Sequence, residues 1–432
     1  MQVSTRIANS SAALLEPARG AAPALHPPAG LRGQAGRMGF ASVVLFYVLY
    51  FFRPEDFSPH LAVIPFEKIV GGLAALALLG AVLANRLRAT RELKLLLAFL
   101  GLLCLSVPFS VWRGGSMTQV EGFAKCILIL VATLCTVDSL ARLRRVLFIP
   151  TLAMLFMAFM ALSHPRHGDR MFGIGSMFND PNYFALYLCM ILPLCIYFGL
   201  TARSTLRKLF WSAGAILALL AIVSTFSRGG FLALVATVLA LAIMFRGKMR
   251  ALIVFLIVAG GLALAAMPGS SYMRRLSTIL HPSADQTGSA QIREALLHRS
   301  VQIALEHPLL GIGPGEFQVV SGSWHTSHNT YLELGAEAGI PALAVFLAIL
   351  WQGFKNLHRL HVEQPPGEIR QLAGALLCSL IGYLVGALFL STAYWLMPYL
   401  FVTAAALLAS VALPGLEPAR SPAAAALRVA SC

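Results

Sequence analysis

Three residues along the chain are of types that can handle a phosphate ester. Arg228 lies in the run STFSRGG, Arg293 lies near the start of a helical stretch, and His328 ends a long polar loop. The planar, permanently charged guanidinium of arginine pairs with phosphate through two hydrogen bonds. Histidine is the usual general base near neutral pH. Together they predict a transferase site, in which the arginines hold a phosphate leaving group and His328 deprotonates an acceptor hydroxyl.

Each of these residues also has a plainer interpretation. An arginine at the end of a membrane span often anchors the helix at the interface, and His328 could simply be a polar residue at a helix start. Glu333 and Glu337 lie one turn apart in an apolar helix, where carboxylates are functional candidates. Their alternative role is a hydrogen bond between helices. His325 and His328 have no carboxylate cluster beside them, so we expect no metal site.

The composition predicts that these residues are held by a membrane-embedded helical bundle. Hydrophobic residues make up 58% of the 432 residues and charged residues only 12%, against about 25% charged in soluble domains. The apolar residues occur in runs long enough to span a bilayer as helices. The net charge of +15 then reflects positive loops rather than binding of nucleic acid. The seven cysteines show no metal-ligand spacing, and we expect them to pack as small apolar side chains.

We predict an all-α polytopic membrane protein with about 12 transmembrane helices and one long loop. Residues 291–307 of that loop have helical spacing and one apolar stripe, typical of a helix lying on a membrane surface. The predicted spans are 38–52, 61–84, 93–112, 119–137, 143–163, 182–200, 207–225, 229–245, 250–267, 328–352, 371–391 and 394–413.

These spans divide the chain into five parts. Residues 1–37, rich in Ala, Pro and Gly, are predicted to be a disordered tail. Residues 38–267 hold the first nine helices, and residues 268–327 form the long loop. Residues 328–413 hold the last three helices, and residues 414–432 form a second tail.

The distribution of positive charge predicts the orientation of the bundle. With the N-terminus in the cytoplasm, most of the 33 Lys and Arg residues fall on the cytoplasmic side, as the positive-inside rule requires. Arg228, Arg293 and His328 then lie on the opposite side, as does the loop 268–327. An arginine placed against this bias, as Arg228 is, is a stronger functional candidate.

Four segments resemble the O-antigen ligase and O-antigen polymerase superfamily, and they occur in the expected order. They are FNDPNYFALYLCMILPL at 178–194, STFSRGGFLAL at 224–234, IREALLHRSVQIALEHPLLGIGPGEF at 292–317, and HNTYLELGAEAGIPALAVF at 328–346. The resemblance covers residues 170–350 well and the first spans only by hydropathy. One departure is Leu297, where family members often have Trp.

The resemblance implies a GT-C-like glycosyltransferase in a bacterial inner membrane, with its active site facing the periplasm. The donor would be a glycan carried on undecaprenyl pyrophosphate, and the acceptor a hydroxyl of lipid A-core or of another glycan. It assigns the pyrophosphate to Arg228 and Arg293 and the catalytic role to His328, with no metal, cofactor or nucleotide. Asn182, Asn329, Glu333 and Glu337 are candidates for a supporting role.

Two alternatives stay open at this point. A polymerase of the same superfamily would transfer the glycan to another lipid-linked repeat unit instead of to lipid A-core. A flippase would move a lipid-linked glycan without covalent chemistry, and would place ionisable residues at mid-bilayer. The candidate charges lie near the outer boundary, which favours an enzyme. By resemblance to the superfamily, the single long loop favours a ligase.

Overall fold

A computed structural model describes residues 29–84, 90–163, 170–175, 178–245, 247, 250, 289–322 and 324–412, and these form helices without any strand. The long helices are α1 (Ala29–Phe52), α2 (Phe66–Leu83), α3 (Arg91–Ser106), α4 (Arg113–Thr136), α5 (Leu140–Ser163), α6 (Pro181–Leu200), α7 (Thr205–Ser224), α8 (Arg228–Met244), α9 (Ser289–Glu306), α10 (Thr330–Glu363), α11 (Glu368–Gly386) and α12 (Leu396–Ala412). Short helices cover Pro54–Asp56, Pro59–Ala62, Val107–Phe109 and Phe317–Val320.

The described helices confirm a polytopic membrane protein. Nine of them are long and apolar enough to cross a bilayer, and α8 and α12 are shorter apolar helices. Each matches one predicted span. Residues 251–267 of the predicted span 250–267 lie outside the described residues, as do most of the predicted tails.

The first helix begins earlier than predicted. We expected a disordered tail up to residue 37, but α1 starts at Ala29. Extending a helix that has already formed adds one hydrogen bond per residue without a new nucleation cost. Further along, α1 packs closely on α2, where a Cβ at Gly80 would lie 2.8 Å from Gly39 Cα. Small residues permit this close approach of two membrane helices.

The core lies around α6, α10, α11 and α12. Buried side chains cover most of α6 and α12 but few positions of α2 and α7. Helix α10 packs against α3, α9, α11 and α12, and α6 packs against α7, α8 and α11. We call the end of the bundle at which α6, α8 and α10 begin the site end.

The helix predicted within the long loop is present as α9, but its apolar residues do not form one stripe. Leu296 and Ile303 are buried against Ala336 of α10, whereas Val301 and Leu305 are exposed. Residues 301 and 305 are one turn apart and lie on another face of the helix from 296 and 303. The helix therefore packs on α10 through one of its two apolar faces.

Helix α10 is interrupted at Gly339, which has φ 82° and ψ 170°. Pro341 has no N–H to donate to the Glu337 carbonyl four residues earlier. Ile340 donates instead to the Pro308 carbonyl, at 2.8 Å. The carbonyls of Ala336 and Glu337 are thereby left for partners outside the helix.

The turn-rich end of the long loop binds the carbonyls that the interruption of α10 leaves without a partner in the helix. The N–H groups of Ile312 and Gly313 donate to the carbonyls of Ala336 and Glu337, at 3.0 and 2.8 Å. Gly311 needs φ 65°, and a Cβ there would overlap the backbone of Glu337. We call residues 308–317 the anchor turn, because they fix the loop to α10.

Candidate active site

His328 lies at the point where the chain enters α10, in a left-handed backbone conformation with φ 55°. Such a conformation is uncommon for a residue other than glycine, and is often found at functional sites. Ser327 Oγ donates to the Asn329 carbonyl at 3.0 Å and accepts from the Asn329 N–H at 3.2 Å. Asn329 Oδ1 accepts from the N–H groups of Tyr331 and Leu332, which caps α10. The residues flanking His328 thus hold its conformation.

Glu333 binds the segment before His328 to another part of the chain. Its Oε2 accepts from the Ser327 N–H and from the Ser391 hydroxyl, each at 2.6 Å. Ser391 belongs to residues 387–395, the connecting segment between α11 and α12. Glu333 therefore holds the backbone of the segment just before His328.

The connecting segment makes further hydrogen bonds to the start of α10. The Thr330 N–H donates to the Ala387 carbonyl at 2.8 Å, and Asn329 Nδ2 donates to the Leu388 carbonyl at 3.3 Å. The Thr392 N–H donates to Thr330 Oγ1 at 3.0 Å. We had placed most of residues 387–395 inside two membrane spans. That prediction was wrong, because α11 ends at Gly386 and α12 begins at Leu396.

Arg228 is the first residue of α8 and lies close to the same connecting segment. Ser227 caps this helix, accepting from the Gly230 N–H at 3.0 Å. A Cβ at Gly229 would lie 2.8 Å from Phe389 Cβ. Phe389 follows Leu388, whose carbonyl binds Asn329, so the connecting segment brings the start of α8 and the start of α10 together.

Asn182 lies between the starts of α6 and α8. Its Oδ1 accepts from the Ser227 hydroxyl at 2.8 Å and from the Arg170 guanidinium at 3.2 Å. Arg170 Nε also donates to the Thr225 carbonyl at 3.1 Å. Asn182 thereby fixes the cap of α8 next to Arg228. The sequence did not single out Arg170, although it lies in the polar stretch just before α6.

The charge of Arg293 on α9 affects the protonation of His328. The pKa of His328 is lowered to about 4, mostly by burial and partly by the charges of Arg293 and His325, whereas the charge of Asp180 raises it. The imidazole is therefore neutral at neutral pH, as a general base must be. Its Nδ1 atom is buried and has no hydrogen-bond partner among the described residues.

Glu337 lies one turn beyond Glu333 and holds the anchor turn from inside the bundle. Its Oε1 accepts from the Phe317 N–H at 3.0 Å, and its Oε2 from the Tyr394 hydroxyl at 2.8 Å. The carboxylate thus joins the long loop, α10 and the connecting segment. These contacts agree with the plainer interpretation, a hydrogen bond between elements, for this residue.

Glu316 is a buried carboxyl that the sequence analysis did not identify. It lies in the anchor turn with 1% of its surface exposed, and Ser116 donates to its Oε1 at 3.3 Å. Its Oε2 has no partner among the described residues, and burial raises the pKa of this carboxyl. Within the part of the chain that the structure describes, no three His, Cys, Asp or Glu residues lie together as a metal site.

The structure thus brings the predicted residues to the site end of a helical membrane protein. His328, Asn329 and Glu333 meet at the start of α10, and Arg228 and Asn182 lie beside them along the connecting segment. Arg293 acts on His328 from α9. Such a bundle, with a partly buried neutral histidine and cationic groups at one end, is a candidate membrane transferase.

Comparison with known proteins identifies the family to which this region belongs. Residues 213–347 match the family model described as O-Antigen ligase. The match runs from α7 into α10 and includes Arg228, Arg293 and His328. None of the curated proteins compared with the chain matches it. Residues 213–347 of this membrane protein are thus similar to the O-antigen ligase and polymerase superfamily, whose members are glycosyltransferase-like enzymes.

Proposed function

We propose that the protein is a ligase that transfers a glycan from undecaprenyl pyrophosphate to a hydroxyl of lipid A-core. The observation that carries this proposal is a partly buried, neutral His328 held at the start of α10, where the charge of Arg293 acts on it. A neutral imidazole accepts the proton of a hydroxyl, and an arginine stabilises the charge that develops on a departing phosphate. The match to the O-antigen ligase model supports the substrate class.

Each of these residues has a separate role in the proposed reaction. Arg228 and Arg293 bind the pyrophosphate of the donor, while His328 takes the proton of the acceptor hydroxyl. The acceptor oxygen forms a bond to the anomeric carbon, and the bond from that carbon to the pyrophosphate oxygen breaks. The lipid pyrophosphate leaves with the bonding electron pair. The donor bond supplies the driving energy, so the proposed reaction needs no nucleotide and no metal.

The two substrates reach the site by different routes, which depend on the orientation of the protein in the membrane. The donor lipid reaches the site laterally from the membrane, and the acceptor arrives at the periplasmic face of the bacterial inner membrane. The positive-inside distribution of Lys and Arg supports this orientation. In the proposed orientation, His328 lies on the periplasmic side of the membrane.

The proposal is tested with purified protein, lipid-linked donor and lipid A-core acceptor in reconstituted vesicles. His328→Ala should lower transfer by about 10²–10⁴-fold, the usual contribution of general base catalysis, and should still bind the donor. His307→Ala, at an exposed histidine just beyond α9, is the matched control and should retain transfer. Normal transfer by the His328 variant would refute the base role.

The two arginines are tested by replacement with lysine, which keeps the charge and removes the fork. Arg228→Lys and Arg293→Lys should both weaken donor binding and slow transfer. Arg113→Lys is the control, since Arg113 is an exposed residue that donates to the Pro108 carbonyl at 3.0 Å. Full activity of both variants would refute phosphate binding by Arg228 and Arg293, and would leave them as residues that anchor helices at the membrane interface.

A deletion strain distinguishes a ligase from a polymerase. Loss of all long chains from lipid A-core, with lipid-linked polymer accumulating, is the result expected for a ligase. A single repeat unit left on the core would instead identify a polymerase and overturn the choice of acceptor.

A further inference from the structure

Asp180 lies at the junction of three elements of the site and has no part in the mechanism above. It caps α6, where its Oδ1 accepts from the Asn182 N–H at 2.6 Å. Asn182 in turn accepts from the hydroxyl of Ser227, the cap of α8. Asp180 is therefore held at the point where α6 and α8 begin, next to Arg228.

The same short stretch of α6 connects Asp180 to the His328 side of the site. The ring of Tyr183 stacks on Trp395 of the connecting segment, with centroids 4.6 Å apart. The Tyr183 hydroxyl interacts with Thr326, just before His328, and with the charge of Asp180. The segment that carries Trp395 also binds Asn329 through the Leu388 carbonyl. Tyr183 thus contacts the segment that leads into His328, and Asp180 lies three residues before Tyr183 at the start of α6.

The groups around His328 differ in which form of the imidazole they favour. Burial, Arg293 on α9 and His325 on the same segment all favour the neutral form, and Asp180 on α6 favours the charged form. Glu333 on α10 holds the backbone before His328 through the Ser327 N–H. Two arginines also lie at this junction: Arg170, which donates to Asn182, and Arg228 on α8, which lies beside the donor pyrophosphate in the proposed function.

We propose that Asp180 is a positioning residue that stabilises the imidazolium of His328 formed during glycan transfer. This inference rests on the proposed function, in which His328 takes the proton of the acceptor hydroxyl. The proton stays on the imidazole until it is released to solvent, and Asp180 remains ionised throughout. Because His328 Nδ1 has no hydrogen bond to a described residue, the carboxylate acts through its charge. Without it, burial and the charges of Arg293 and His325 would all oppose the charge that the base must acquire.

The test is Asp180→Asn, which removes the charge and keeps the helix cap, since Asn and Asp cap helices equally well. The variant should show a kcat at least about tenfold lower, because the base is weaker. An opposite charge shifts a nearby pKa by about 1–3 units. The acidic limb of the kcat profile should therefore move to lower pH by about one unit or more. The KM for the donor should not rise.

Three further variants make the result decisive. Asp138→Asn is the matched control, since Asp138 pairs with Arg142 at 3.1 Å away from the site end, and it should leave kcat and the pH profile unchanged. Asp180→Ser also caps without charge and replaces Asp180→Asn if that variant does not fold. Asp180→Glu, which restores the charge, should recover the acidic limb.

Failure of this inference is distinguishable from failure of the proposed function. If His328→Ala abolishes transfer while Asp180→Asn keeps the wild-type kcat and pH profile, the role of Asp180 is refuted and the base role stands. If His328→Ala retains normal transfer, the proposed base role itself fails. A lowered kcat with an unshifted acidic limb would assign Asp180 to helix capping alone and would also overturn the inference.

Discussion

Replacing Gly339 by alanine should detach the anchor turn from α10. At φ 82° and ψ 170° a residue with a side chain is strained by about 1–3 kcal/mol. A Cβ there would also overlap the carbonyl oxygen of Leu309. Moving the anchor turn away breaks the hydrogen bonds of Ile312 and Gly313 to α10, each worth about 0.5–1.5 kcal/mol. The expected loss in the free energy of unfolding is about 2–6 kcal/mol.

The matched control is Gly335→Ala in the same helix. A Cβ at Gly335 would lie 3.6 Å from Leu343 Cδ2 and 3.8 Å from Ala304 Cβ, which are ordinary contacts. Alanine also favours a helix by about 1 kcal/mol over glycine. Thermal unfolding in detergent and hydrogen exchange of residues 308–317 measure the two variants. Equal stability and equal exchange in both would refute the proposed strain at Gly339.

Two further predictions concern the chemistry. The acidic limb of the kcat/KM profile, which reports the free enzyme, should lie near pH 4, because the base is lost as pH falls through the pKa of His328. The limb of kcat should lie at higher pH, since donor phosphate on Arg293 neutralises a charge that lowers this pKa; identical limbs would contradict donor binding at Arg293. Transfer should also survive EDTA, and loss that a divalent metal reverses would overturn the metal-free mechanism.

Much of the fold could be predicted from hydropathy and charge. A membrane helix needs about 20 apolar residues in a row, so the cores of the spans were found even where their ends were not. The start of α1 at Ala29 was missed, since small residues such as Ala and Gly carry little hydropathy signal. The interruption at Gly339 was missed as well, although Gly339 and Pro341 together were a visible signal for it.

The candidate site was predicted less completely than the fold. His328, Arg228 and Arg293 stood out as charged or titratable groups at span ends. The connecting segment 387–395 did not stand out, because its sequence FLSTAYW is apolar enough to be predicted as part of a membrane helix. Asp180 was also overlooked, since a single aspartate before a helix is usually a cap. Its nearness to His328 depends on tertiary packing between α6 and the connecting segment, which no local pattern encodes.

The anchor turn has a consequence for how the long loop can move. It lies between Arg293 and His328 in the chain, and it is joined to the backbone of α10 rather than resting on its surface. A loop pinned in its middle cannot swing as one lid hinged at His328. Any opening is divided between two separate arms, one carrying Arg293 and the other ending at His328.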